Sequence, residues 1–238
     1  MKRLFFATFA LIVLAGVTVW TLDQNPEMSP EVLKKIKLVS RFKETLPGAD
    51  AGDAKAQYQI ALMYEIGDGT KKDTKQTLKW LLKAAEQGYA PARYKLGWMY
   101  ANGIIVRQDY FMAAKYYRLA ATFNKDANAQ FRLGELYFNG RGVVNDYAKA
   151  IKYYKQAASK GHAAAQYILS SMYEEGWGVK RDLITAYVWL KLAMNKRDEA
   201  LAINKKFDPV LKMNRLRPKM NKYQIEEAEK RILAMAKR

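Results

Sequence analysis

Two glycines flank an arginine at Gly140-Arg141-Gly142, and a polar run and a new apolar pattern follow. Backbone N–H groups of a glycine-rich loop at the mouth of a helix can cradle phosphate. The same glycines can equally close a structural turn. Few other residues carry the chemistry of a reaction. The sequence has no cysteine, which excludes disulfides, thiolate metal sites and cysteine nucleophiles together. His162 is its only histidine, so no multi-histidine zinc site can be built. Glu174-Glu175 and Glu226-Glu227 are adjacent pairs, which point to different sides of a helix and do not converge as an acid–base couple. No G-x-x-x-x-G-K-[ST], H-E-x-x-H or G-x-S-x-G stretch occurs. The reading names no catalytic residue, no metal ligands and no cofactor.

The elements that carry the glycines recur. A tyrosine stands at Tyr64, Tyr100, Tyr137 and Tyr173, at spacings of 36, 37 and 36. In the same register come Gly67, Gly103, Gly140 and Gly176, then Asp73, Asp109, Asp146 and Asp182. A ring follows at Trp80, Tyr116, Tyr153 and Trp189, and an alanine at Ala84, Ala120, Ala157 and Ala193. Periods of this length mark stacked helical units. Apolar residues at helical spacing define a first helix of each unit, which ends at the glycine. The aspartate starts the second helix as its N-cap, and Asp73 with Gln76 has the capping-box pattern. Within the first helix a small residue recurs at Ala61, Gly97, Gly134 and Ser170. Close approach of the second helix would offset the helix propensity that glycine loses there, about 1 kcal/mol.

One helix pair cannot bury its apolar face alone, and stacked neighbours can. The expected architecture is therefore all-α: an α/α solenoid, a superhelical stack of antiparallel helix pairs. Four repeats (54–89, 90–126, 127–162 and 163–197) lie between a linker with a capping helix (23–53) and a basic C-terminal cap (198–238). Ser29-Pro30-Glu31 starts a first helix over 30–46, and Asn221 with Gln224 opens a last one over 222–236. The glycines now have a register: one nucleotide site per repeat is implausible, so Gly140 ends a helix and Gly142 permits a tight reversal. Arg141 is the variable residue between them, matching Asp68, Ile104 and Trp177.

Met1-Lys2-Arg3 precedes an apolar run from Leu4 to Leu22. A basic start followed by such a run is an export signal or a membrane anchor, and its 19 residues are long enough to span a bilayer. Residues 1–22 are therefore expected to be a signal anchor or a signal peptide. Residues 23–238 would then be anchored to the inner membrane facing the periplasm, or periplasmic or secreted after cleavage. The formal charge of +18 calls for an anionic partner. A basic patch is expected at Lys205, Lys206, Lys212, Arg215, Arg217, Lys219 and Lys222, fit to meet an acidic protein, an anionic membrane or a cell-wall surface. Export and the lack of a nucleic-acid motif disfavour nucleic acid.

The stretches AQYQIALMYEIGDG and AQFRLGELYFNGRGVVNDYAKAIKYYKQAASKGH resemble the Sel-one-like repeat, a relative of the tetratricopeptide repeat. The second copy departs from the pattern with Ile104-Ile105, and the fourth lacks the closing A-A-x-x-G. The resemblance implies a non-enzymatic protein-binding adaptor of the bacterial cell envelope with no catalytic residues. By analogy with tetratricopeptide proteins, a partner protein or peptide would meet Tyr58, Tyr94, Trp98, Phe131, Phe138 and Tyr167, with Arg141 on the turn. Trp98 and Phe138 stand out from their columns as exposed anchors. The first aromatic column, at Tyr58, Tyr94, Phe131 and Tyr167, reads mainly as structural, and His162 as a surface linker residue. Aromatic groove residues can also stack on sugars, which leaves a glycan-binding module or enzyme as the alternative. A nucleic-acid binder facing the cytoplasm is the second alternative.

Overall fold

The Ser29 side chain accepts the Val32 N–H, and Pro30 takes the first helical position, where its missing N–H costs nothing. From there α1 runs Pro30–Asp50. The helix passes Pro47 and ends beyond the expected residue 46. Ala49 is buried in that last turn, and its carbonyl accepts from Gln57 Nε2 at 3.1 Å. The computed structural model describes residues 29–236, so the signal or anchor segment expected at 1–22 lies outside them. Among the described residues no helix is long and apolar enough to cross a membrane.

The chain divides into two units between Tyr89 and Ala90. In the first, α1 and α3 (Thr74–Glu86) both pack on α2 (Ala54–Ile66). The second holds three helix pairs: α4 (Ala90–Asn102) with α5 (Tyr110–Phe123), α6 (Ala127–Asn139) with α7 (Tyr147–Ala158), and α8 (Ala163–Glu175) with α9 (Leu183–Met194). Successive pairs stack through α5 on α6 and α7 on α8. Three further helices close the end: α10 (Arg197–Ile203) lies on α8, while α11 (Pro209–Leu216) and α12 (Lys222–Ala236) pack on α9. This is the expected all-α solenoid class of stacked helix pairs.

The recurrent aspartates do two jobs. Each side chain accepts backbone N–H groups of the helix it opens: Gln76 at 3.0 Å, Met112 at 3.0 Å, Lys149 at 2.9 Å and Thr185 at 3.0 Å. Each aspartate N–H also donates back to the recurrent tyrosine's carbonyl, Asp73 to Tyr64 at 3.0 Å and Asp182 to Tyr173 at 2.8 Å. That second bond corrects the capping box expected at Asp73 and Gln76. The cap N–H is already spent on the turn, so the glutamine has nothing to return to. At the far end the Asn221–Gln224 box does close, with reciprocal bonds of 3.0 and 2.9 Å.

Gly140 ends α6 in the left-handed region, at φ +65°, and its N–H reaches the Leu136 carbonyl. A Cβ on Gly142 would lie 2.2 Å from the Tyr110 carbonyl carbon, so this turn rests directly on the first residue of α5. These glycines are scaffold. The second repeat puts Ile105 in the equivalent place, at φ +68°, a conformation costly for a β-branched residue.

The core follows the columns. Ala84, Ala120, Ala157 and Ala193 are fully buried. A buried glutamine ties each of three first helices to the element before it: Gln57 to the Ala49 carbonyl, Gln130 to Ala121 at 3.3 Å, and Gln166 to Ala158 at 3.1 Å.

Candidate interaction groove

The first aromatic column packs ring against ring. Tyr58 meets Tyr89 at 5.4 Å between centroids, Tyr94 meets Tyr117 at 5.7 Å, and Tyr167 meets Phe207 at 4.9 Å. These three tyrosines are half-buried, with an edge left to solvent. Phe131 requires a correction. It is fully buried between Tyr154 and His162, so it serves the core and offers no surface to a partner. His162 also differs from the surface linker expected. Its ring stacks on Phe131 at 4.4 Å, and its Nδ1 accepts the Ala165 N–H to cap α8. Burial, aided by the nearby Arg132 charge, pushes its pKa down to about 4.

Two of the expected residues from different repeats share a cavity. Trp98 on α4 and Arg141 on the turn after α6 line a cleft of about 230 Å³, with Tyr110 and Tyr117 of α5 and Arg132 and Glu135 of α6. The Arg132 and Glu135 side chains pair at 2.8 Å, one helical turn apart, and both are about a third exposed. Burial raises the Glu135 carboxyl above its usual range, against the opposing pull of Arg132 and Arg141. The Arg141 guanidinium lies over the Tyr110 ring at 5.5 Å, and Lys95 Nζ sits 5.2 Å from the Trp98 ring centre. Phe138 belongs to the next junction along. Its ring meets Tyr147 at 5.2 Å and the exposed Trp177 at 5.6 Å. Trp177 has the same register as Arg141, and Tyr147 the same as Tyr110. The variable turn residue thus settles on a ring at both junctions, Arg141 on Tyr110 and Trp177 on Phe138.

The four helix pairs match the family model described as the Sel1 repeat over residues 54–89, 90–122, 127–162 and 163–198. The chain belongs to the Sel1 repeat family. Sel1 repeats form a non-catalytic scaffold family that generally mediates protein–protein interaction. Among solved structures, the chain is similar to c5321, a protective antigen of uropathogenic Escherichia coli strains with an SLR fold. That match has 39% identity and a TM-score of 0.63, and covers 65% of this chain and 33% of c5321. The chain thus spans about a third of that relative's length. It is also similar to a Sel1 repeat protein from Oxalobacter formigenes, at 31% identity and TM-score 0.62, over 71% of this chain and 72% of that one. No curated protein matches it.

Beyond the last Sel1 repeat, the expected basic patch is partly spent on structure. Lys212 and Lys219 both reach Glu174, at 2.6 and 2.7 Å, and the Glu174 side chain is only 6% exposed. Burial alone would raise that carboxyl's pKa. The two lysine bonds more than offset it and hold the group below its ordinary range. Lys212 is therefore an inward clamp between α11 and α8 and not a docking residue. Lys205, Lys206, Arg215 and Arg217 remain exposed, and Lys222 approaches Glu226 at 3.8 Å. Arg197 forms a two-pronged pair with Asp208, at 3.1 and 2.6 Å, which fixes α10 against α11.

The sequence alone does not mark Arg132 and Tyr110 as lining residues. Arg132 shares its register with Gln59, Lys95 and Ile168, an ordinary surface pattern. Its placement depends on the pairing with Glu135 and on the cavity that Trp98 walls.

Proposed function

We propose that this Sel1 chain is a non-enzymatic adaptor of the bacterial cell envelope that holds a partner protein or peptide against the groove walled by Trp98 and Arg141. The observation that carries the reading is their convergence, from two repeats, on one cleft beside half-buried aromatic rings. A rigid helical stack presents these groups with little ordering cost on binding. Aromatic and arginine side chains are also the types that carry most energy at interfaces. The envelope location rests on the basic start and the apolar run from Leu4 to Leu22. The exposed cations of the C-terminal cap (Lys205, Lys206, Arg215 and Arg217) would steer acidic partners toward the molecule.

Affinity capture of the full chain with its neighbours, wild type against Trp98→Ala/Arg141→Ala, tests the groove. Equal recovery of the same partner by both would overturn the assignment. A phosphatase fused to the C-terminus tests the location, with activity expected outside the cytoplasm. Saturable binding to purified peptidoglycan, with no protein partner, would favour the glycan reading instead.

A further inference from the structure

We infer that the segment seated in this cleft is an extended peptide bearing a carboxylate side chain beside an aromatic one. The inference rests on the groove reading above and names the chemistry of the occupant. Two guanidinium groups, from Arg132 and Arg141, line the cleft against one carboxylate, that of Glu135. Arg132 is matched already, at 2.8 Å from Glu135 Oε2. Arg141 is in no ion pair among the described residues, and its side chain is exposed over the Tyr110 ring. A guanidinium over an aromatic face can keep N–H donors free for a planar, two-pronged acceptor, which a carboxylate is. Lys95 Nζ also lies over the Trp98 ring, 5.2 Å from its centre. Trp98 and Tyr110 supply the surface for a ring.

The position of Arg141 supports selection for this role. The scaffold needs Gly140 and Gly142 but leaves the residue between them open: Asp68, Ile104 and Trp177 fill it in the other copies. At the next junction Trp177 packs on Phe138 and makes an apolar contact. Arginine in the same register turns the neighbouring junction into an anion acceptor. One arginine outside any ion pair in the cleft suits a single side-chain carboxylate. A phosphate backbone would call for a row of such cations.

The test is fluorescence anisotropy on the purified full chain in detergent, with three fluorescein-labelled hexapeptides: alternating Asp-Phe, Asn-Phe and Lys-Phe. The Asp-Phe peptide is expected to bind about tenfold more tightly than the Asn-Phe peptide, the size of one charge-assisted contact. The Lys-Phe peptide is expected not to bind. Arg141→Gln should remove most of the Asp-over-Asn preference. Lys152→Gln, which removes the same charge from the exposed face of α7, should leave it intact. Failure of the Asp-Phe peptide to saturate, equal binding of the Asp-Phe and Asn-Phe peptides, or equal losses in both variants would overturn the inference. The last outcome would reduce it to the general field of a +18 chain. Trp98→Ala separates the two readings. If it weakens both peptides alike and no charge preference exists, the groove stands and the carboxylate falls. If it changes nothing, both fall.

Discussion

The Tyr154 ring fills the space that a side chain on Gly134 would need: a Cβ there would lie 2.8 Å from Tyr154 Cε1. Gly97 and Tyr117 repeat the arrangement at 2.6 Å. In the first and fourth repeats the same two positions hold Ala61 with Leu81 and Ser170 with Leu190, all fully buried. The inter-helix space is thus shared in two ways: glycine with tyrosine, or a slightly larger residue with leucine. Close packing makes the two positions interdependent.

Gly134→Ala is accordingly expected to destabilise, although alanine is the better helix former by about 1 kcal/mol. Overpacking against the ring should outweigh that gain, for a net loss of about 1–2 kcal/mol. Adding Tyr154→Leu should recover part of it, as the Ala61 and Leu81 pairing suggests. A double-mutant cycle by urea denaturation reads this directly, and strictly additive effects would refute the pairing.

Ile105 invites the opposite change. It holds φ +68° where the three other repeats place Gly69, Gly142 and Gly178 at +71°, +66° and +68°. Relief of that backbone strain should exceed the loss of its half-buried side chain, so Ile105→Gly is expected to stabilise by about 1 kcal/mol. A lowered melting temperature would contradict this.

His162 makes stability depend on pH in a defined window. Its folded pKa, about 4, lies below the ordinary 6.5 because burial and Arg132 disfavour the imidazolium. Between those values the unfolded chain binds more protons than the folded one, so stability falls as pH falls. The contribution is complete above pH 6.5 and lost on the way to pH 4, a swing of up to about 3 kcal/mol. His162→Tyr, which borrows the ring Tyr89 uses on Tyr58, should flatten that slope. Chemical denaturation at pH 7.5, 6, 5 and 4.5, as assay conditions, compares them; parallel curves would assign the slope elsewhere.

Glu174→Gln should cost about 2–4 kcal/mol, because it strands Lys212 in a nearly buried site. The Lys212 side chain is 13% exposed and that of Lys219 47% exposed, so Lys212→Met in the Glu174→Gln background should restore more than Lys219→Met does. The carboxyl titrates below its ordinary 4.5 in the folded chain. Its contribution is therefore present above that value and is lost as pH falls below it. Thermal melts of the three variants and the wild type at neutral pH decide the ordering.

Much of this protein is local, and local features show in a sequence. The Asp caps, the helix-ending glycines, the Ser29-Pro30 start and the Asn221–Gln224 box each involve groups a few residues apart, and the 36- and 37-residue period repeats them. Family, helix pairs and the scaffold role of Gly140 and Gly142 followed from that regularity. Contacts between distant side chains were settled only by folding. Whether Phe131 faced a partner or the core depended on His162, 31 positions on, and the fate of Lys212 on Glu174, 38 positions back. Arg132 and Tyr110 became lining residues because stacked repeats enclosed a cleft between them. The repeat specifies the backbone through short-range bonds, while burial and charge pairing are properties of surfaces that exist only once the repeats are stacked.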